Sequence, residues 1–330
     1  MEPNEASAGV ERCRMYRSLS DPMRQKILAL AEQEELSIGE LGFLLSAAQP
    51  KVSRQVSALR LAGLLAVRKE GTRVWVQSSA TNHVDTLVAD ATANGMRMAK
   101  DEGLLERIAE VLKQRDQQTK HYFTATATSA QFEYLPLELP AYLFALKPVM
   151  AACIETALDV GTGDGAVLDA LAPLYNRVIG LDRAAEQLKF AEARVQTRGY
   201  TNVELLRSEY EITELKSVLP DFSGVDLVIA ARLLHHAPRP AHAMRELGKL
   251  LRAGGHLIIV DYRQHHDEQM RELQADTWLG FKAEDLRKWA LDAGLSKVEI
   301  RSIPKRFCGK GRDAKLGWQV LHAEAKEKIE

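Results

Sequence analysis

Cysteine is scarce in this chain, and its few thiols stand far apart. Three cysteines occur in 330 residues, at Cys13, Cys153 and Cys308, and none forms a C-x-x-C pair. A disulfide framework or a zinc knuckle needs numerous or closely spaced cysteines, so the sequence argues against both. The pattern suits a reducing compartment, and we expect a cytoplasmic protein.

Charge of one sign and long apolar runs are missing as well. The formal net charge is -1, from 44 Lys and Arg against 45 Asp and Glu, so any surface for nucleic acid must be local. No apolar run approaches the roughly 20 residues that span a bilayer, and no membrane association is expected. The first residues, MEPNEASAGVE, are acidic and polar, which argues against a secretory signal. We interpret residues 1–12 as a disordered tail.

A glycine-rich stretch at residues 155–182, ETALDVGTGDGAVLDALAPLYNRVIGLD, organises the rest of the chain. It predicts a buried strand at 157–160, a turn with three glycines, a helix at 166–174 and a second strand at 178–181. The glycines let the backbone approach a ligand, and the free amides of a helix N-terminus favour an anionic group. Asp182, at the tip of the second strand, is placed to accept hydrogen bonds from ribose hydroxyls. The stretch therefore predicts a site for a nucleoside-containing ligand.

The run D-x-G-x-G-x-G at residues 159–165 resembles the first motif of class I S-adenosylmethionine (SAM) methyltransferases. The glycines alone also fit a dinucleotide-binding turn loosely, so they are weak evidence by themselves. Later segments strengthen the methyltransferase resemblance: Ser208-Glu209, LHH at 234–236, and LLRAGGHLIIVD at 250–261. The resemblance implies SAM as cofactor, with S-adenosylhomocysteine as product or effector, in the branch that includes ubiquinone-biosynthesis methyltransferases.

The same resemblance implies which residues bind the cofactor. Asp159 is expected near its ammonium group, the glycines beside its methionine part, and Glu209 near its adenine. Tyr122 precedes the predicted sheet and is expected to cover the cofactor, with ordinary packing as the alternative. The predicted cofactor-binding set is Tyr122, Asp159, Gly161, Gly163, Asp182, Arg183, Glu209, Tyr210 and Ala231.

Two adjacent histidines, His235 and His236, follow the predicted fourth strand on the expected acceptor side. Either can serve as a base for an acceptor hydroxyl, while packing or capping is the alternative. Residues 230–233 read AARL, not the D/N/S-P-P-Y/F/W of many enzymes that methylate nucleic-acid bases, so a small-molecule acceptor is favoured. The predicted walls of an apolar acceptor pocket are Tyr262, Arg263, Trp278 and Phe281.

Strands and helices alternate through residues 126–330, which we assign to the methyltransferase domain. The strands are predicted at 157–160, 178–181, 203–206, 226–230, 256–261, 297–303 and 318–323, and helices among them at 186–198, 241–251 and 284–293. This alternation predicts an α/β fold, a Rossmann-like doubly wound parallel sheet with helices on both faces.

Residues 13–80 predict two short helices, at 38–45 and 49–61, followed by a hairpin with strands at 64–68 and 74–77. This order is typical of a winged helix-turn-helix. The segments LSDPMRQKIL at 19–28 and QPKVSRQV at 49–56 resemble ArsR/SmtB regulators, which implies that the unit binds operator DNA. The predicted DNA contacts are Gln49, Lys51, Ser53, Arg54, Arg68 and Arg73, although a simply solvated face is the alternative.

No thiol occupies residues 35–41, where many of these regulators bind metals, so no metal site is predicted there. His83 and Asp85 weakly suggest a metal site, but water-facing residues of a first helical turn are the better interpretation. Residues 81–125 predict a helical region, broken by Gly95 and Gly103, that joins two copies into a homodimer; a plain linker is the alternative.

Three functions fit these patterns. The first is a regulator fused to an active methyltransferase that acts on a small molecule. The second is a transcription factor whose methyltransferase fold only senses SAM or S-adenosylhomocysteine. The third is an enzyme whose winged unit serves only for dimerisation, which the basic residues of 49–73 argue against.

Overall fold

The computed structural model describes residues 12–13, 15–79, 85–125, 134–152 and 154–327. Most of the tail expected at 1–12 lies outside these ranges, as do His83 and Cys153. The chain divides into two compact units, Met1–Gln114 and Arg115–Glu330. Among the described helices, none combines the length and the apolar composition needed to cross a membrane.

The first unit consists of short helices and a small antiparallel sheet. Its elements are α1 (Pro22–Gln33), β1 (Leu36–Ser37), α2 (Ile38–Leu44), α3 (Gln49–Leu61), β2 (Leu65–Glu70), β3 (Arg73–Ser78), α4 (Thr86–Asp101) and the first part of α5 (Leu104–Ala125). The strand order is β1-β3-β2, with β3 antiparallel to both neighbours. The predicted pair of helices and the hairpin that follows them are therefore present as elements.

Local sequence explains where these helices begin. The Asp21 carboxylate accepts hydrogen bonds from the amides of Met23 and Arg24, and Pro22 occupies the first turn of α1. At α2, the Ser37 hydroxyl and the Glu40 carboxylate each accept the other residue's amide hydrogen, which is a capping box. These side chains satisfy amides that the helices leave unpaired.

Gly95 does not break the helix, contrary to the sequence prediction. Helix α4 runs without interruption from Thr86 to Asp101, and the break falls at Gly103, whose φ is +66°. A Cβ on Gly95 would lie 2.1 Å from the carbonyl oxygen of Gln25 in α1. The glycine therefore permits a close approach of two helices instead of ending one.

The second unit is built on a seven-stranded sheet. Its strands are β4 (Thr156–Val160), β5 (Arg177–Asp182), β6 (Val203–Arg207), β7 (Val225–Ala231), β8 (Leu251–Tyr262), β9 (Leu295–Ser302) and β10 (Trp318–Ala325). Its helices, after the end of α5, are α6 (Leu139–Leu146), α7 (Leu168–Leu171), α8 (Ala185–Arg198), α9 (Ile212–Val218), α10 (Pro240–Lys249), α11 (Gln269–Gln274) and α12 (Ala283–Asp292). The strand order is β6-β5-β4-β7-β8-β10-β9.

The sheet is Rossmann-like, but it is not wholly parallel as predicted. Strand β10 lies between β8 and β9 and runs antiparallel to both. The alternation of strands and helices predicts where each strand lies in the sequence, but it does not predict the direction of the last strand. That direction depends on the connection between β9 and β10, which lets β10 enter the sheet from the opposite end. The prediction of seven strands is confirmed.

The strand order reverses at β4, which places a crevice at the carboxyl ends of the central strands. From β4 the chain adds β5 and β6 on one side, and then β7 and β8 on the other. Ligands of open α/β sheets bind at such a switch point. Helix α7, which follows the glycines, spans only four residues and is shorter than the predicted 166–174. Residues 161–164 of the glycine loop, more than a long helix dipole, therefore border this crevice.

Candidate active site

A cavity of about 750 Å³ opens at the carboxyl ends of β4, β5, β6 and β7. This volume falls within the roughly 300–1,000 Å³ typical of sites for small molecules and cofactors. Among the residues predicted to bind the cofactor or to act as bases, those that line the cavity are Tyr122, Gly161, Gly163, Asp182, Arg183, Glu209, Tyr210, Ala231, His235 and His236. Of the predicted acceptor walls, Tyr262 lines the cavity, and Arg263, Trp278 and Phe281 do not.

The floor of the cavity is the glycine loop, residues 161–165. Gly161 has a φ of +73°, and a Cβ there would lie 2.7 Å from Cδ1 of Leu233. The amides of Gly161 and Thr162 both donate to the carbonyl oxygen of Leu181, at 2.8 and 3.0 Å. A glycine is required at 161 because both its backbone conformation and the lack of space exclude a side chain.

Asp159 lies beneath this loop and not on the cavity wall. Its side chain is fully buried, and Oδ2 accepts a hydrogen bond of 2.6 Å from the Thr162 hydroxyl. Burial raises the pKa of Asp159 to about 7; the Thr162 hydrogen bond opposes this rise, and the charges of Asp182 and Asp164 add to it. Asp159 is not among the residues that line the cavity, and its position near the cofactor's ammonium group stays a prediction.

Asp182 joins the tip of β5 to the glycine loop. Its Oδ2 accepts the amide hydrogen of Gly163 at 2.9 Å, and its Oδ1 accepts that of Ala184 at 2.8 Å. Burial raises the pKa of Asp182, while these two backbone hydrogen bonds lower it. A carboxylate offers about four lone pairs, so both oxygens retain acceptor capacity toward the cavity.

A charged network borders the cavity beside Glu209. The Lys120 ammonium lies 2.9 Å from Asp116 and 3.0 Å from Glu209. Arg183 bonds Asp116 and lies 3.7 Å from the Glu209 carboxylate. The sequence predicted Arg183 and Glu209 but missed Asp116 and Lys120, because they lie on a helix assigned to the linker and belong to no motif.

Tyr122 and Phe123, near the end of α5, also border the cavity. The Tyr122 hydroxyl donates a hydrogen bond of 2.7 Å to the carbonyl oxygen of Leu273. The Phe123 ring meets the His236 ring edge to face, with centroids 4.9 Å apart. Both side chains line the cavity, and the role of Tyr122 as a cover for the cofactor stays a prediction.

The two adjacent histidines line the cavity next to Phe123. His235 Nδ1 lies 2.7 Å from Oδ1 of Asp261, which also accepts the Tyr262 amide at 2.7 Å. Burial lowers the pKa of His235, but the charges of Asp261 and Asp276 outweigh it, so the pKa is raised. Burial and then the charge of His235 hold the pKa of His236 well below its usual value. His236 is therefore a neutral imidazole at neutral pH.

A carboxylate that the sequence did not single out lies beside the histidines. Asp276 Oδ1 is 3.7 Å from His235 Nε2, and the Asp276 side chain is buried. Burial raises the pKa of Asp276 to about 6, and the charge of His235 opposes that rise. Since Asp276 stands 40 residues beyond the LHH segment and forms no motif with it, only the tertiary structure brings the three side chains together.

The predicted DNA-contacting residues of the first unit fall into two groups. Gln49, Lys51, Ser53 and Arg54 are exposed along α3. The same helix buries Val52, Val56 and Leu59, as the sequence predicted.

Arg68 has carboxylate partners within its own unit. Its guanidinium bonds the buried Glu70 and lies 3.1 Å from Glu35, over the Trp75 ring. These ion pairs compete with a phosphate for the same donors, and the contact of Arg68 with DNA stays a prediction. Arg73 begins β3 and pairs across the hairpin with Glu70.

Comparisons with known proteins agree with the geometry of the second unit. Residues 155–294 match the family model described as methyltransferase domain. An uncharacterised 37.1 kDa protein in transposon TN4556 of Streptomyces fradiae is 29% identical over 189 residues, which are 51% of this chain and 50% of that protein. The ubiquinone biosynthesis O-methyltransferase of Leptothrix cholodnii is 30% identical over 159 residues, covering 44% of this chain and 66% of that protein.

Among solved structures, the YcgJ protein from Bacillus subtilis covers 57% of this chain and 99% of its own, with a TM-score of 0.44 and 16% identity. The chain spans about half the length of the first curated relatives that it matches. The family match lies wholly within the second unit. This unit therefore contains a class I methyltransferase domain with SAM as its cofactor, and ubiquinone O-methyltransferases are among its relatives.

Proposed function

We propose that this SAM-dependent domain methylates a small-molecule acceptor, and that the first unit binds operator DNA as an ArsR-type homodimer. The observation that supports the enzymatic part is a single cavity shared by the glycine loop, the Asp182 carboxylate and the two histidines. The glycine loop and Asp182 suit a nucleoside-containing cofactor, and we assign the histidines to the part of the cavity that holds the acceptor.

The cavity fits SAM in size and in chemistry. Gly161 has no side chain and lines the cavity, so a ligand can approach the backbone there. Asp182 keeps acceptor capacity for ribose hydroxyls, and Glu209, held by Lys120, lies near the position expected for adenine. When bound, SAM supplies a methyl group on a positively charged sulfur, which a nucleophile can displace.

The protein's contribution to such a transfer is mainly positioning. Tyr122, Phe123 and Tyr262 line the cavity, and we propose that these rings orient an acceptor and exclude water. A hydroxyl acceptor must also lose a proton, and the neutral His236 imidazole faces the cavity for that step. His235 is held in place by Asp261 and positions its neighbour.

The exposed face of α3 supports the proposal for DNA. Lys51 and Arg54 supply positive charge for phosphates, while Gln49 and Ser53 offer groups that can hydrogen-bond base edges. A twofold dimer would present two such helices to a palindromic operator. Helices α4 and α5 are the proposed dimer-forming elements.

A pair of titrations tests the proposal. SAM and S-adenosylhomocysteine are titrated separately into the full chain by calorimetry, with and without DNA from the promoter of its own gene. We expect each ligand to bind once per chain, and SAM to be consumed when hydroxylated small molecules are added. If neither ligand binds, the proposal is wrong.

The same titrations distinguish the sensor alternative. A shift of DNA affinity with S-adenosylhomocysteine, together with no SAM consumption across a broad acceptor panel, would favour a regulator that only senses the cofactor. Sedimentation of the full chain with and without operator DNA tests the proposed homodimer.

A further inference from the structure

Four buried atoms at the back of the cavity have no hydrogen-bond partner within the described residues. They are His235 Nε2, His236 Nδ1 and both carboxylate oxygens of Asp276. The three side chains are buried. Buried polar atoms are almost always paired, so four such atoms around one point indicate that something else binds between them.

The spacing of these atoms suits a metal ion. One ligand atom from each of the three residues lies within 4.8 Å of the others, and His235 Nε2 is 3.7 Å from Asp276 Oδ1. Two ligands bound to zinc at about 2.0–2.1 Å and at the tetrahedral angle stand roughly 3.4 Å apart. Bringing His235 Nε2 and Asp276 Oδ1 a few tenths of an ångström closer therefore gives the separation expected for two zinc ligands.

The surroundings fix His235 in the form that binds a metal. Its Nδ1 faces Asp261 at 2.7 Å, and Asp261 is itself held by the amides of Tyr262 and His235. A carboxylate behind a histidine sets the tautomer so that the other ring nitrogen presents its lone pair. Here that nitrogen is Nε2, which faces Asp276.

We propose that His235 Nε2, His236 Nδ1 and the Asp276 carboxylate bind one divalent transition-metal ion, with Zn²⁺ the best match to two imidazoles and one carboxylate. Three protein ligands leave a coordination position open, as in catalytic zinc sites. Because His235 and His236 line the cavity, that position faces the space for the acceptor.

The site deepens the proposed function and rests on it for its chemical role. The open position selects acceptors with an oxygen ligand, such as phenols or enols. A cation beside that oxygen favours loss of its proton to solvent. The oxygen then forms a bond to the methyl carbon, the carbon–sulfur bond breaks with its electron pair left on sulfur, and S-adenosylhomocysteine leaves. The ion thus takes over the role proposed above for the His236 imidazole.

A second cluster of the same kind, His256, His322 and Glu324, is the weaker candidate. Its two imidazoles already bond each other at 3.2 Å, and Lys297 lies 2.6 Å from the Glu324 carboxylate. The side chains of this cluster already have partners within the protein, so a variant in it is the control for the metal-binding experiment.

The test is direct metal binding to the full chain after dialysis against a chelator. Co²⁺ is titrated while its visible d–d absorption is recorded, and Zn²⁺ is then used to displace it. We expect one ion per chain, and at least tenfold weaker binding in Asp276→Asn, which keeps the side-chain shape but loses the anionic ligand. Glu272→Gln, on an exposed neighbour, and His322→Ala, in the second cluster, should bind one ion as the wild type does.

Two further measurements keep the outcome decisive. Asp276→His retains a coordinating atom without the charge, so it should restore a Co²⁺ spectrum that a role limited to hydrogen bonding would not restore. SAM affinity and thermal unfolding are followed in every variant, which separates loss of the metal from loss of the cofactor site or the fold. Equal Co²⁺ binding by the wild type and Asp276→Asn, or no d–d absorption in the wild type, would overturn the proposal. Metal binding without methyl transfer would leave the site standing and count against the proposed enzyme.

Discussion

At the scale of single residues, Asp182 both shapes the glycine loop and faces the cavity. Its oxygens accept the amide hydrogens of Gly163 and Ala184, and the residue also lines the cavity. The proposed effect of Asp182 on cofactor binding therefore has a direct part, through ribose hydroxyls, and an indirect part, through the conformation of the loop.

Replacing Asp182 with Ala should weaken SAM binding by about 1.5–3 kcal/mol, the usual contribution of a hydrogen bond to a charged group. Isothermal titration of SAM measures the loss. Asp182→Asn, which retains one acceptor oxygen, should lose less. Glu192→Gln on the exposed side of α8 is the control and should bind SAM normally. Unchanged affinity in Asp182→Ala would mean that the cofactor binds elsewhere.

Asp159 makes the stability of the second unit depend on pH. Burial raises its pKa to about 7, so the folded protein keeps this proton to a higher pH than the unfolded chain does, where the pKa is about 3.9. The stabilisation from the protonated form is therefore complete below pH ~4 and is lost as pH rises through about 7.

Asp159→Asn should remove this dependence. The free energy of unfolding of the wild type should fall between pH 5 and 8. The upper limit of this fall over the whole titration is roughly 4 kcal/mol. The free energy of unfolding of the variant should fall less over the same pH range. Denaturant unfolding at several pH values measures the two slopes. Asp292→Asn, at an exposed site, should keep the wild-type slope. Parallel slopes for the wild type and Asp159→Asn would show that Asp159 is ionised throughout.

At the scale of elements, α1 and α4 meet where Gly95 lies against the backbone of Gln25. The sequence analysis predicted that Gly95 breaks the helix. Helical hydrogen bonding continues through Gly95, so the nearby backbone of a second helix accounts for the residue.

Gly95→Ala should therefore destabilise the first unit by about 1–3 kcal/mol, because the added methyl overlaps backbone atoms that cannot rotate away. Thermal unfolding measures the change. Gly248→Ala is the matched control: it lies in α10, and the nearest atom to its Cβ is 3.7 Å away. That substitution should be neutral or stabilising by about 0.4–1 kcal/mol. A Gly95→Ala variant as stable as the wild type would show that the two helices can separate without cost.

At the scale of the whole molecule, two units with different expected ligands share one chain, and the proposed DNA-binding role depends on charges of the first unit. Lys51 is exposed on α3, whereas Arg68 is engaged by Glu35 and Glu70. The two basic residues should therefore respond differently to neutralisation.

Lys51→Gln should weaken DNA binding at every sequence tested and reduce the slope of log K against log salt by about 1, since one phosphate contact is lost. Fluorescence anisotropy at several salt concentrations measures the slope. Arg68→Gln should instead lower the unfolding temperature of the unit, because it removes a charged partner of buried Glu70. Lys113→Gln, exposed on α5, is the control. Equal slopes for Lys51→Gln and the control would exclude α3 as the DNA-contacting element.

Much of the architecture was determined by sequence alone, because short-range rules set it. Strands and helices follow from apolar periodicity, and the glycine loop follows from residues that need positive φ. Asp182 at the end of β5 and the histidines after β7 could be placed on one sheet edge for the same reason, since the carboxyl ends of parallel strands meet there.

The remainder was decided only by the tertiary structure, since it depends on residues far apart in the chain. Asp276 lies beside the two histidines, and Lys120 pairs with Glu209. Arg68 pairs with Glu35 and Glu70. No local sequence pattern predicts any of these partners. The direction of β10 and the role of Gly95 likewise depend on what lies opposite them. Periodicity records which face of an element is apolar, whereas the partner of a buried charge is set by how whole elements pack.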